Sequence, residues 1–232
     1  MVNTNEMNYD SFHCYLPLYF MAYRRSELVE THLAQNRARI LAAARRLVSE
    51  GGWQQGQIAS VAAAAELATG TVYRYFPSKA ALFAEVLTIV SQRELNVINE
   101  IINGDGSPTE RLHGAVRTFV ERAMRNRRLA FALIAEPCDR EIDEARLVWR
   151  YAIGQEILRI VEEGQRSGEF RSSLQPNVAA AVIVGGFMEA LVGPLSPLSP
   201  DLDLESPTAI GLADEIATIC CASVSLSPEC PS

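Results

Sequence analysis

The sequence predicts an all-α protein in two parts: an N-terminal three-helix unit containing a helix-turn-helix, and a C-terminal helical body. Three observations lead to this fold class. Apolar residues recur at three- and four-residue steps along most of the 232 residues, as on the buried faces of amphipathic helices. Eleven prolines and fourteen glycines fall mostly between these apolar blocks, where they end helices. The hydrophobic share of 48% is ample for a core.

The spacing predicts a first amphipathic helix over residues 34–50. Its inward positions are Ile40, Leu41, Ala44, Leu47 and Val48. Gly51-Gly52 is expected to stop the helix. Trp53 is expected to fill the gap before the next helix as a core residue.

Residues 1–32 form an N-terminal extension whose order the sequence does not decide. The stretch MNYDSFHCYLPLYFMAY is rich in aromatic residues, unlike an ordinary disordered tail. Three accounts stay open: it packs on the body, it contacts a partner, or it precedes a true translation start at Met21.

Two short helices joined by a tight turn are predicted next, over residues 58–65 and from Thr69 to before Pro77. Helices of about two turns do not persist alone in water. Their apolar side chains must therefore bury against a third element, which the preceding helix supplies. These side chains are Val61, Leu67, Val72 and Phe76.

The second short helix carries an unusual set of residues on its outer face. An unconstrained exposed helix favours Ala, Glu and Lys, whereas this one has hydroxyls, tyrosines, an arginine and a glycine. Such residues suit close approach to a polyanion, because hydroxyls bond phosphates or base edges and an arginine can fork onto guanine. The residues expected at base edges are Thr69, Gly70, Thr71 and Arg74. Those expected at phosphates are Gln57, Tyr73, Tyr75 and Lys79.

Lys79 is the only lysine among the 21 basic residues. It follows Ser78, which can cap the next helix, and a compact cation at a helix N-terminus favours a phosphate. A solvated surface lysine is the alternative account.

Charge is distributed in agreement with this assignment. The net charge is −7, but residues 33–87 carry six basic and three acidic residues, whereas residues 88–232 carry 13 basic and 21 acidic ones. Residues 1–32 are also net negative. The one net-positive segment therefore contains the outer face of the second short helix, the predicted reading surface, as electrostatic steering to phosphates requires.

The motif TGTVYRYFPSKAALF, residues 69–83, closely resembles the recognition helix and following helix start of the TetR-like one-component transcriptional regulators. The resemblance runs over about residues 37–87. It implies a DNA-binding domain over residues 33–87, an effector-binding and dimerisation domain over 88–225, and a tail over 226–232.

Two positions depart from the family pattern. Glu66 stands in the turn where glycine is usual, and Ala68 stands where a serine or threonine cap is common. A left-handed Glu66 and an absent cap each cost on the order of 1 kcal/mol, unless Thr69 takes the capping role. Neither position belongs to the outer face, so the reading surface is expected to stay intact.

The body is predicted to begin with a long helix over residues 78–102, which crosses the domain boundary. Ser107-Pro108-Thr109-Glu110 matches a capping box with proline at the first helical position, and opens the next helix. A short apolar helix over 129–135 and a long one over 139–163 follow. The long one is expected to stop in the glycine-containing region 164–168.

Residues 176–193 are apolar nearly all round, with Glu189 as the one charge, so this helix must be covered on every side. A partner subunit supplies such cover. With a last helix over 207–224, opened by Ser206, two helices from each subunit would form a four-helix interface, which the resemblance also implies. The symmetry of a homodimer then predicts a palindromic operator in double-stranded DNA. The alternative is that both helices are purely intramolecular core.

The resemblance further implies an apolar cavity between about residues 110 and 188 for a small apolar or amphipathic effector. Bulky residues that could line it are Phe119, Met124, Phe131, Trp149, Tyr151, Phe187 and Met188, although for each of them a plain core position is the stronger account. Polar anchors could come from His113, Arg117, Arg146 or Glu189. An effector that prefers a spacing of the two DNA-binding domains that cannot span the operator would release the protein from DNA, so repression is the expected mode.

Other classes of function have less support. Cys138 with His113 could form a nucleophile and base, and a dimeric ligand carrier without operator binding is a further alternative. There is no P-loop, dinucleotide fingerprint, zinc spacing or nucleophile elbow, so no cofactor and no metal are expected. The acidic residues Asp139, Glu141, Asp143 and Glu144 are expected to complement a helix dipole.

Five cysteines without a CxxC pair suit a reducing cytoplasm, and no secretory signal is recognised. The apolar run over residues 14–23 is too short to span a membrane. The expected localisation is therefore cytoplasmic, with no membrane partner.

Overall fold

A computed structural model describes residues 16–199 and 207–226, and these form nine α-helices with no regular strand. The helices are α1 Leu16–Gln55, α2 Ile58–Ala64, α3 Thr69–Tyr75, α4 Lys79–Ile102, α5 Pro108–Arg125, α6 Arg127–Ile134, α7 Arg140–Ser167, α8 Pro176–Leu195 and α9 Pro207–Ala222. The predicted all-α class is confirmed. Of the predicted segments, residues 1–15 of the extension, Ser206 and residues 227–232 of the tail lie outside the described residues.

Helix α1 begins earlier than the apolar pattern indicated, since residues 16–32 of the extension continue it at its N-terminal end. Its predicted stop is confirmed at Gly52, whose φ of 72° and ψ of −164° break the helical path. The φ lies in the region that favours glycine. The chain there turns so that Trp53 enters the core.

Helix α7 runs to Ser167, beyond the end predicted near residue 163. Gly164 stays helical because it makes room for Phe170, whose ring lies 2.1 Å from where a Cβ at position 164 would stand. Gly168 ends the helix with a left-handed φ of 81°. The two glycines therefore have different tasks, packing and termination.

The predicted capping residues are confirmed at both long helices where they were expected. The Ser78 Oγ accepts a hydrogen bond of 2.9 Å from the Ala81 backbone at the start of α4. At α5, the Ser107 Oγ accepts from the Glu110 backbone and the Glu110 carboxylate accepts from the Ser107 backbone. These contacts satisfy helix N–H groups that have no partner within the helix.

The core forms two hydrophobic clusters. The first, which we call the head cluster, joins α1, α2, α3 and the first half of α4 up to Val90. The second, the body cluster, joins the second half of α4 from Ile98 onward with α5, Ile134 of α6, α7, α8 and α9. The head cluster also takes in Leu129 and Ala132 of α6 and Ile142 of α7, so the body contributes side chains to the core beneath the head.

Polar contacts reinforce this junction. Trp53 is buried, as predicted, and its Nε1 donates to the Ala132 carbonyl at 3.0 Å. Its backbone N–H donates to the Glu136 carboxylate at 3.2 Å. Arg128 donates to the same carboxylate at 2.6 Å and to the Gly51 carbonyl at 3.0 Å. The end of α1 is thus tied to α6 and to Glu136, just beyond the end of that helix.

Candidate DNA-reading surface and ligand cavity

The inner face of α3 packs against the other helices of the head, the N-terminal unit formed by α1 to α3 and the first half of α4. Val72 and Phe76 are buried in the head cluster. The turn before α3 contains Glu66 with a φ of 55°, so the left-handed conformation expected there is observed. Ala68 is the N-cap and makes no side-chain capping bond. Both departures from the family pattern therefore affect the support of α3 rather than its outer face.

The outer face of α3 carries the predicted residues. Thr69, Gly70, Tyr73 and Arg74 are exposed, with Tyr73 at 51%. No atom lies within 4 Å of the position that a Cβ on Gly70 would take, so the backbone is open to close approach at that point. Thr71 is half-buried beside them.

The residues predicted at phosphates surround this face. Gln57 is exposed at the N-cap of α2, where its side chain donates to the Gln54 carbonyl at 3.1 Å. Tyr75 is half-buried at the end of α3. Lys79 begins α4, and its Nζ lies 5.9 Å from the centroid of the Phe83 ring.

The head's cations divide into paired and unpaired ones. Arg37 pairs with Glu85, and Arg39 pairs with Glu66 at 3.1 Å. Within the described part of the chain, Arg74 and Lys79 have no ion pair with a carboxylate. Their charge is available to a polyanion.

A cavity of about 280 Å³ lies where the head meets the body. Six helices contribute to its wall, from α1 and α4 to α8. Its apolar lining consists mainly of Leu87, Val90, Phe119, Leu129, Leu133, Ile134, Trp149, Ile153 and Met188. Three of the seven predicted lining residues, Phe119, Trp149 and Met188, are among these.

The other four predicted residues do not line this cavity, which corrects the expectation. Met124 and Phe187 are buried in the body cluster, where Phe187 packs against Phe119 with ring centroids 5.0 Å apart. Phe131 lies under the Arg128 guanidinium. Tyr151 is 70% exposed on α7, because its helix position faces away from the core.

The proposed polar anchors are mostly elsewhere too. His113 faces α9, with its Nε2 3.5 Å from Asp214. Arg117 pairs with Glu121 on the surface of α5, and Glu189 is exposed on α8. Arg146 lines the cavity.

Sequence reasoning missed most of the charged residues at the cavity. They are Arg45, Glu94, Arg122, Arg125 and Arg150. Arg122 and Arg125 lie one turn apart on α5, but no spacing along the chain indicates that α1, α4, α5 and α7 bring these side chains to one cavity. Only the convergence of the helices identifies them.

The structure does not bring Cys138 and His113 together as a catalytic pair. The Cys138 Sγ accepts a hydrogen bond from Arg146 at 3.3 Å, beside the head cluster, whereas His113 faces α9. Burial raises the pKa of the Cys138 thiol, although Arg146 opposes the shift. A thiol with a raised pKa is a poorer nucleophile at neutral pH.

The acidic residues at the start of α7 are engaged locally. Arg140 pairs with Glu144 at 2.7 Å, and Arg146 pairs with Asp143 at 3.0 Å. Across residues 16–199 and 207–226, no group of three or more potential ligands is positioned to hold a metal ion.

Helix α8 is covered on one face only. Ile183, Phe187 and Leu191 are buried in the body, while Val178 and Val182 are 56% and 59% exposed. Among the described helices, α8 alone has the length and hydropathy of a membrane span, a property it shares with core helices of soluble proteins. Further exposed apolar side chains stand on α7 and α9, namely Leu147, Val148 and Ile219.

A helix-turn-helix head with an exposed recognition helix, joined to a helical body with a cavity at the junction, defines the class of one-component bacterial regulators. The chain belongs to the tetR family within that class. Residues 40–86 match the family description "Bacterial regulatory proteins, tetR family", and residues 105–190 match "Tetracyclin repressor-like, C-terminal domain".

Individual relatives agree with this assignment. The chain is 34% identical over 108 residues to the HTH-type transcriptional repressor KstR of Mycolicibacterium smegmatis, which covers 47% of this chain and 53% of the relative. It is 25% identical over 196 residues to the HTH-type transcriptional regulator UidR of Escherichia coli K12, covering 84% and 98%. The chain thus spans about half the length of the first of these relatives.

Among solved structures, the transcriptional regulator FadR of Bacillus subtilis, in complex with stearoyl-CoA, superposes with a TM-score of 0.69. The match covers 80% of this chain and 98% of that chain at 20% identity. RolR in complex with resorcinol superposes with a TM-score of 0.63, covering 85% and 91% at 21% identity. At these identities the likeness shows a shared fold.

Proposed function

We propose that this protein is a homodimeric, sequence-specific transcriptional regulator that binds a palindromic operator through α3. The observation that best supports this proposal is the outer face of α3. There the Gly70 backbone is open to close approach, and Thr69, Tyr73 and Arg74 lie exposed beside it. A surface of this kind suits a major groove better than solvent, because it combines close backbone approach with donors for phosphates and bases. Arg74 is proposed to contact bases, and Lys79 to contact a phosphate.

The proposed mode of action is repression relieved by an effector, in the cytoplasm. A relative named as a repressor supports the direction of control. The cavity supports the effector, since Arg45 and Leu87 of the proposed domain 33–87 line it together with residues of the proposed domain 88–225. A ligand that contacts both domains can favour one head orientation over another, which is the requirement for coupling.

The proposed dimer uses α8 and α9, over about residues 176–193 and 207–224. The uncovered face of α8, with Val178 and Val182, supports this contact. A two-fold dimer would place two copies of α3 in successive major grooves, about 34–36 Å apart. Val182→Asp, which puts a charge in that contact, should yield monomers in sedimentation experiments and abolish operator binding. A Val182→Asp protein that stays dimeric would contradict the interface.

A mobility-shift assay with the DNA upstream of the protein's own gene tests the proposal. Arg74→Ala should relax sequence preference, whereas Lys79→Ala should weaken binding to all sequences alike and flatten the salt dependence. Arg140→Ala, at an exposed arginine of α7, is the matched control and should change neither. Equal loss of preference in the Arg74 and Lys79 variants would overturn the division of roles.

A dimeric ligand-binding protein without operator binding is the second candidate. The cavity and the net charge of −7 both suit it. The same assay separates the two, because a carrier would ignore the upstream DNA even at low ionic strength.

A further inference from the structure

The cavity at the junction of head and body is unusually rich in arginine. Five arginines and one glutamate stand in its wall, in a protein whose net charge is −7. Clusters of like charge are costly unless something of opposite charge offsets them. The arginines therefore need to be accounted for one by one.

Two of the five arginines have partners within the protein. Arg122 forms a two-pronged bond with Glu94, at 2.6 and 2.9 Å, and this pairing raises the pKa of the arginine. Arg146 donates to the Leu133 and Glu136 carbonyls, both at 2.9 Å, and pairs with Asp143. These contacts fix the two side chains as parts of the wall.

Arg45, Arg125 and Arg150 are left without an ion pair to any carboxylate in the described residues. Arg45 and Arg125 are exposed at the cavity's edge. Arg150 is more deeply placed: its Nη2 lies 3.5 Å from the Ile134 carbonyl, a weak contact, and its Nε is buried without a hydrogen-bond partner in the structure. A buried donor on a charged group is costly to leave unsatisfied.

The buried Nε atoms of Arg111 and Arg171 also lack partners, but those side chains are held by Glu163 and by the Ser223 carbonyl, away from the cavity. Arg150 differs because it lines a space large enough for a ligand. A volume of about 280 Å³ is near the lower end for ligand sites, which span roughly 300–1,000 Å³.

The remaining wall is apolar and aromatic, including Phe119, Trp149, Ile153 and Met188. A ligand that matches the whole cavity must therefore be apolar over most of its length and negatively charged at one end. Arg45 belongs to the head and Arg150 to the body. An anion in the cavity would be attracted by both.

We infer that the cavity binds an amphipathic anion, an apolar chain or ring system of moderate size ending in a carboxylate or phosphate group, with Arg150 as the principal anchor. Arg45 and Arg125, exposed at the cavity's edge, add to its positive potential. The inference rests on the proposed function in taking this cavity as the effector site, and it narrows the effector from any small apolar compound to an anionic one.

Isothermal titration calorimetry on the full-length protein tests the charge requirement with decanoate and decan-1-ol, which share a tail and differ in charge. Decanoate should bind about tenfold more tightly than the alcohol, as expected for a charge-assisted hydrogen bond. Arg150→Met should remove about this factor for decanoate and change the affinity for the alcohol by less than about twofold. Arg150→Lys should recover part of the lost affinity for decanoate, because lysine keeps the positive charge but not the two-pronged geometry of the guanidinium group.

Arg140→Met is the matched control, since Arg140 is an exposed arginine of the same helix outside the cavity. It should bind decanoate as the unaltered protein does. An equal loss of acid and alcohol binding in Arg150→Met would overturn the inference, because it assigns Arg150 to packing alone. Equal binding of acid and alcohol would also overturn it if the binding of decanoyl-CoA did not depend on Arg150 either.

Decanoyl-CoA, in which the anionic groups are phosphates, distinguishes the source of the charge. Dependence on Arg150 for decanoate supports a carboxylate, and dependence for the thioester alone supports a phosphate. If neither anion binds while the protein still shifts its upstream DNA, this inference fails and the proposed regulator stands. If an anion binds through Arg150 but no DNA is shifted, the regulator proposal fails and the ligand class stands.

Discussion

The head and the body present their candidate sites in different ways. In the head, the outer face of α3 is formed within seven consecutive residues, and its neighbours only hold that helix in place. In the body, the cavity needs side chains from six helices, spread from Arg45 to Met188. A recognition surface of the first kind tolerates small movements of the core beneath it. A cavity of the second kind changes whenever any of its walls moves.

This difference suits a regulator whose two sites must communicate. Helix α6 contacts both regions, because Leu129 and Leu133 line the cavity while Ala132 and Arg128 bond to the end of α1. A ligand that displaced α6 would act on the head through these bonds. The proposed coupling therefore has a candidate route through α6, which contacts both the cavity and the end of α1.

The largest change in the free energy of unfolding is expected for a substitution at the junction between the head and the body. Glu136→Ala removes the carboxylate that accepts from Arg128 and from the Trp53 backbone. Because this leaves a partly buried arginine without its counter-ion and a buried N–H without its acceptor, the free energy of unfolding should fall by about 3–5 kcal/mol. Urea unfolding at a fixed protomer concentration measures the change.

Glu121→Ala is the control for that experiment, since it breaks the surface pair with Arg117 and should cost less than about 1 kcal/mol. A similar cost for both variants would mean that the junction contributes no more than a surface pair. The head and the body would then be less closely joined than their shared cluster indicates.

A change of intermediate size is expected at Gly70, where a substitution should affect protein stability and operator affinity in opposite directions. Gly70→Ala adds a methyl group to open space, so the free energy of unfolding should rise by up to about 1 kcal/mol through helix propensity. Operator affinity should fall on the scale of one mismatched base pair, roughly 1–3 kcal/mol, because the backbone can no longer approach as closely. Thermal unfolding and mobility shifts on the same samples measure both quantities.

Gly114→Ala on α5 is the matched control in the body, where the added Cβ would make only an ordinary contact of 3.4 Å with Ile101. It should leave operator binding unchanged. If Gly70→Ala bound the operator as well as the unaltered protein, close approach at Gly70 would be disproved.

The smallest of these changes, in the free energy of unfolding, is expected in the turn that precedes α3. Glu66→Gly relieves a left-handed residue with a φ of 55° and loses an exposed pair with Arg39, so the free energy of unfolding should rise by about 1 kcal/mol. Ala63→Gly, at an exposed helical position three residues earlier, should instead cost about 1 kcal/mol. Equal effects of the two glycines would show that the turn conformation carries no strain.

The helices, their caps and the division into two parts could be predicted from the sequence with small errors. The predicted start of α1 and the predicted end of α7 were wrong. The apolar spacing fades over the mostly polar residues 24–32, which hid the continuation of α1 toward Leu16, and Gly164 serves packing instead of termination. The exposed outer face of α3 could be predicted from the sequence, but the lining of the cavity only in part. Tyr151 and Phe187 are as bulky as Trp149, and only the helix rotations separate exposed, core and lining positions.

By itself, the sequence determined the all-α class, the capping residues and the outward face of α3, because each depends on residues no more than about four positions apart. Only the tertiary structure decided that Leu129, Ala132 and Ile142 complete the core of the head, and that the arginines of α1, α5 and α7 meet at one cavity. Those contacts join residues up to about a hundred positions apart. Their formation depends on the packing angles between helices, which local periodicity does not specify.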